Sequence, residues 1–101
     1  MTHDDLKEAI HIGEIQWRSH ALKRMLQRGI KRQEVKDAIL QGEIIEEYPT
    51  DTPFESVLIF HHGDKTIHTV VSLDKMNSII YIITAYEPDT IHFENDLKTR
   101  R

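Results

Sequence analysis

Thr66-Ile67-His68-Thr69-Val70-Val71-Ser72-Leu73-Asp74-Lys75-Met76-Asn77-Ser78-Ile79-Ile80-Tyr81-Ile82-Ile83-Thr84-Ala85-Tyr86 is the stretch on which the fold class turns. Two runs rich in β-branched and aromatic residues flank the polar break Asp74-Lys75-Met76-Asn77, a pattern that predicts an antiparallel hairpin. Both runs are apolar on both faces, which places them at the centre of a sheet with helices covering one side. Immediately upstream, Ser56–His62 reads as a third strand, joined to Thr66–Leu73 through the short turn Gly63-Asp64-Lys65. Ile44–Tyr48 reads as a fourth, closed by Pro49-Thr50-Asp51-Thr52-Pro53.

Before Gly42 the period changes from two to about 3.6, so the N-terminal part is read as helical. A first helix runs from Asp4 or Asp5 to Ile12, with Leu6, Ala9 and Ile10 inward, and stops at Gly13. Ile15-Gln16-Trp17-Arg18 is a short extended lead-in. A second helix spans Ser19 to Arg28, with Ser19 as its N-cap and Gly29 as a left-handed C-terminal stop. A third spans Lys31 to Gln41, with Val35, Ala38 and Ile39 inward. The expected architecture is α+β, with N-terminal helices packed on a mainly antiparallel sheet of about four strands. Residues 1–101 form one domain on this reading, ending in a polar tail from Asp89 with a helical turn around Asn95 to Lys98.

Composition narrows the function classes. The chain has no cysteine, so disulfides, thiolate metal sites and cysteine nucleophiles are excluded. The polar N-terminus does not resemble a signal peptide and no apolar run approaches a membrane span, so a cytoplasmic protein without membrane attachment is expected. Net charge is −4, but it is unevenly spread. Residues 18–36 carry seven bases against one acid, whereas residues 37–64 carry seven acids and no base. A local anion site on the basic helices is therefore compatible with an acidic chain. Pairing of those helices with the acidic strands, or with an acidic partner, accounts for the same pattern.

On the second helix, at about 100° per residue, His20, Arg24 and Gln27 share a sector with Arg28 at its edge, while Leu22, Met25 and Leu26 point away. An imidazole that titrates near neutral pH beside two guanidinium groups suits a phosphate. The same face also reads as the solvated side of an amphipathic helix. His68 needs a polar partner near the start of a central strand, either within a site or as a satisfied histidine at the core's edge. Thr84 and Tyr86 share a face of the last strand, where it leaves through Glu87-Pro88-Asp89. The seven histidines have no metal-ligand spacing, there is no glycine-rich phosphate loop or dinucleotide fingerprint, and no cofactor is expected.

His20-Ala21, Arg24-Met25, Arg28-Gly29-Ile30, Val35, Gly42 with Ile44-Ile45, Tyr48-Pro49, His68 with Val70-Val71, Ile83-Thr84-Ala85-Tyr86 and Pro88-Asp89 together resemble the small prokaryotic domains grouped as domain of unknown function 4258, over about residues 19–95. That family in turn is similar in size and element order to RelE-like and BrnT-like toxins. The resemblance implies a RelE-like fold, RNA as substrate, an antitoxin-like protein partner, and a site made of His20, Arg24, Arg28, His68 and Tyr86, with Gln27 and Thr84 contacting substrate. The expected activity is metal-independent cleavage of RNA phosphodiesters. The alternative is a non-catalytic module whose basic helix face docks an acidic protein partner. The short hairpins are also compatible with a homodimer.

Overall fold

The computed structural model describes all residues, Met1–Arg101, as α1 (His3–Ile12), β1 (Glu14–Trp17), α2 (Ser19–Arg28), α3 (Arg32–Gln41), β2 (Glu43–Tyr48), β3 (Ser56–His62), β4 (Thr66–Asp74) and β5 (Ile79–Tyr86). The strands form one sheet in the order β1-β5-β4-β3-β2. The class is α+β, but the sheet has five strands where four were expected. Ile15–Trp17 is no mere lead-in: β1 runs parallel to β5, pairing Trp17 with Ile82, and completes a mixed sheet. A four-residue edge strand is too short to announce itself by alternation.

Local chemistry explains the helix ends. Thr2 and Asp5 form a reciprocal capping box at the start of α1. Ser19 is not the N-cap of α2; Arg18 holds that position with extended backbone and no side-chain cap, and Ser19 is the first helical residue. At the other end Gly29 adopts φ 68°, the left-handed stop that glycine takes most easily.

The helices lie on one face of the sheet. Leu6, Ala21, Met25, Val35, Ala38 and Ile39 meet Val57, Ile59, Val71, Leu73, Ile80, Ile82 and Ala85 in a single buried cluster. The opposite face is not left bare. Register places Phe60, His68 and Tyr86 in one row across β3, β4 and β5, and Leu58, Val70 and Thr84 in the next. Over these rows fold the β2–β3 loop, whose Phe54 stacks on Tyr81, and the C-terminal segment, whose Phe93 is buried edge-on against His68. The tail is therefore no polar appendage with a helical turn around Asn95 to Lys98: it forms turns and a bridge between Phe93 and Arg100. No helix is long and apolar enough to cross a membrane.

Candidate functional site

Where β5 ends, three elements enclose a cavity of about 560 Å³. The C-terminal end of α2 contributes Arg28, the end of β5 contributes Tyr86 and Glu87, and the C-terminal segment contributes Asp89, His92, Phe93 and Arg100. Its volume lies in the range of small-ligand pockets. Arg28 is fixed there because its Nη1 donates to the Ala85 carbonyl at 2.8 Å, tying the last turn of α2 to β5. It pairs with no carboxylate. Arg100 is held differently: its Nε donates to both carboxylate oxygens of Glu46, at 3.1 and 2.8 Å, and its guanidinium lies 5.0 Å from the Phe93 ring centre. Partial burial alone would raise the Glu46 carboxyl, but hydrogen bonds from Tyr48 and Arg100 outweigh it and keep the group below the ordinary range.

Behind Tyr86 sits His68, fully buried, with Nε2 2.6 Å from the Leu97 carbonyl and Nδ1 3.2 Å from the Tyr86 hydroxyl. A carbonyl only accepts, so Nε2 carries the proton and donates to Leu97. Nδ1 of the neutral ring is then an acceptor, and the Tyr86 hydroxyl donates to it. The phenolic lone pairs are left for whatever enters the cavity. Burial holds the His68 ring below its usual pKa, only partly offset by the Leu97 carbonyl and the Glu46 charge, so the neutral form dominates. Burial likewise raises Tyr86, which keeps its proton.

On the outer wall, the Asp89 carboxylate accepts from the backbone of Ile91 and His92, both at 3.0 Å, and lies 2.9 Å from His92 Nδ1. The His92 backbone bond, with its ring, keeps Asp89 ionised to a lower pH than a free aspartate.

The predicted site residues separate into three groups. Arg28 and Tyr86 line the cavity together, with His68 directly behind Tyr86. His20, Arg24 and Gln27 are exposed on α2 and do not line it. Arg24 and His20 begin about 6 and 12 Å from Arg28 along the helix axis. His20 and His68 do not converge, because α2 covers one face of the sheet and His68 points from the other. Thr84 shares the face of Tyr86 one row further from the strand end and is not in the cavity wall. The sequence reading missed His92, Asp89 and Arg100. The signal available for the first two was an aspartate three residues before a histidine just after the last strand. No group of three histidine, aspartate or glutamate side chains is placed to hold a metal ion.

The family model for a domain of unknown function, DUF4258, matches residues 17–87. The chain belongs to the DUF4258 family. That match spans β2 to β5 and α2 with α3, taking in only Trp17 of β1, so Arg28, His68 and Tyr86 lie within the DUF4258 domain while Asp89, His92, Phe93 and Arg100 follow it. No curated protein and no solved structure matches the chain.

Proposed function

We propose that this DUF4258 chain cleaves RNA phosphodiesters without a metal ion, from the cavity at the end of β5. One observation carries the reading: a guanidinium without a carboxylate partner, Arg28, and a hydroxyl with free lone pairs, Tyr86, line the same cavity. Cleavage by the neighbouring ribose needs a cation to hold the phosphate and to stabilise its growing charge, and a group to align the 2′-hydroxyl. Arg28 suits the first task. Tyr86 suits the second, because its own proton is committed to His68 and its oxygen accepts from a donor on the nucleotide base, which orients the ribose attached to it. The order of helices before an antiparallel hairpin sheet, which suggested likeness to RelE-like and BrnT-like toxins, lends support. Arg24 and His20, further along α2, then contact phosphates flanking the scissile one.

The test is incubation of purified protein with mixed RNA in excess chelator, with analysis of product ends. Cyclic phosphate and 5′-hydroxyl ends are expected, with Arg28→Ala slower by about 10²–10³, the usual loss when one transition-state donor is removed. Arg24→Ala and His20→Ala should weaken RNA binding in a salt-dependent way, with a smaller effect on the bound rate. Parent-level cleavage by Arg28→Ala would exclude the assignment.

A second reading has an observation of its own. His20, Lys23 and Arg24 on the outer face of α2 pair with no carboxylate, and Leu26 beside them is 84% exposed. This face suits an acidic protein partner such as an antitoxin. A stoichiometric partner recovered with inactive purified protein, and lost on Lys23→Glu with Arg24→Glu, favours that module over an enzyme.

A further inference from the structure

Neither Arg28 nor Tyr86 removes a proton at neutral pH: a guanidinium is always charged, and the Tyr86 hydroxyl already donates to His68. A base must come from elsewhere on the cavity wall. Of the remaining lining side chains, Asp89 takes three donors on Oδ1, which hold it ionised and make it a weak base, Arg100 is committed to Glu46, and the exposed Glu87 has no partner that orients its carboxylate. His92 is the imidazole that lines the cavity, and its side chain is exposed. The Asp89 carboxylate only accepts, so Nδ1 of His92 carries the proton and donates to it, leaving Nε2 with a free lone pair. The turn is braced on both sides: the Phe93 amide donates to the Asp89 carbonyl at 3.2 Å, Arg101 Nε donates to the Phe93 carbonyl at 2.9 Å, and the Phe93 ring is buried.

We propose that His92, oriented by Asp89, is the general base of this site and takes the 2′-hydroxyl proton of a bound RNA. The proposal rests on the ribonuclease reading above and places the base on the C-terminal segment, outside the set His20, Arg24, Arg28, His68 and Tyr86 that the resemblance implies. As His92 Nε2 accepts the proton, the 2′-oxygen forms its bond to phosphorus and the bond to the 5′-oxygen breaks. Water at the open mouth protonates the departing 5′-oxygen. The His92 imidazolium then returns its proton to solvent, and the products are a 2′,3′-cyclic phosphate and a 5′-hydroxyl. Asp89 acts through His92 as a positioning residue.

The experiment is single-turnover cleavage of a short RNA by the full chain in chelator, comparing the parent with His92→Ala, Arg28→Ala and Met76→Ala, each checked for an unchanged melting curve. His92→Ala is expected to lose about 10²–10⁴ in rate, the range of a general base, and to recover part of it when free imidazole is added. Met76→Ala, 93% exposed and outside the cavity, should keep the parent rate. Parent-rate cleavage by His92→Ala while Arg28→Ala is impaired overturns the role of His92 and leaves the ribonuclease reading standing. Loss of activity in His92→Ala without imidazole rescue overturns it too, since a structural defect has no such remedy. A parent protein that leaves RNA intact overturns both.

Discussion

At the residue scale, His68 shows how one side chain is committed by its surroundings. Phe60, Tyr86 and Phe93 surround its ring, and both nitrogens have partners, so the neutral form is built into the fold. The sign of the pH dependence follows. Burial lowers the folded-state pKa below the ordinary value of 6.5, so between the two values the unfolded chain binds the proton that the folded chain refuses. Stability contributed by His68 is therefore full above about pH 6.5 and is lost as pH falls from there through the depressed folded value. Urea unfolding between pH 7.5 and 5 should show the parent weakening as pH falls, and His68→Phe weakening less steeply. Equal slopes would mean that the ring is not held neutral. The carboxylates enter later, because Asp5 and Glu46 are lowered from values near 4, and they steepen the loss only in stronger acid.

The same residue marks what the sequence could tell. Alternation put His68 on the face of Val70 and Ser72 and demanded a polar partner for it, and that face was right. It gave no hint that the partner would be the Leu97 carbonyl, because Leu97 lies in a tail without periodicity. Similarly, helical spacing grouped His20, Arg24, Gln27 and Arg28 by angle around the axis. Angle does not say which turn of a helix reaches the sheet's end, and only the last turn of α2 does. Tyr86 was legible because a strand end is readable from Pro88. His92 was hidden because nothing local said that the tail folds back.

At the scale of elements, two glycines hold α2 and β1 in place for opposite reasons. Gly29 has φ 68° and nothing within 4 Å of an added Cβ, so Gly29→Ala meets backbone strain alone. A cost of about 1–2 kcal/mol is expected, with the fold retained. Gly13 has no positive φ; an added Cβ would lie 1.8 Å from the Ser78 carbonyl oxygen, against which β1 begins its pairing with β5. Since Glu14 also donates its amide to that carbonyl at 3.1 Å, the β4–β5 turn cannot retreat without loosening β1. Gly13→Ala should therefore destabilise the chain more than Gly29→Ala in parallel denaturant titrations, and amide exchange should be faster along β1. The reverse order would mean that the edge strand yields easily. The helices, the hairpin and four strands were legible because each is long enough for its period to repeat. β1 was not, since its pairing is set by a partner more than 60 positions away in the chain.

For the molecule as a whole, the decisive fact is that its sheet has two covered faces in a chain of only 101 residues. The helices cover one, and the Phe54 loop and the C-terminal segment cover the other, so the outer wall of the candidate site is also part of a second, smaller core. Phe93 is the test of that dual role. Its ring is 2% exposed, 4.6 Å from the centre of the His68 ring and 5.0 Å beneath the Arg100 guanidinium. Truncating a buried phenylalanine typically costs about 3–5 kcal/mol, a large share of the stability of a small domain. Phe93→Ala should therefore lower the unfolding midpoint markedly, whereas Ile91→Ala in the same segment, with its side chain 79% exposed, should change stability by no more than about 0.5 kcal/mol. The first substitution also lets water reach His68, so its ring should titrate closer to 6.5 by NMR and the acid-side loss of stability should flatten. If Phe93→Ala behaves like Ile91→Ala in both measurements, the tail is a loose flap, and the wall that orients His92 is not a fixed part of the site.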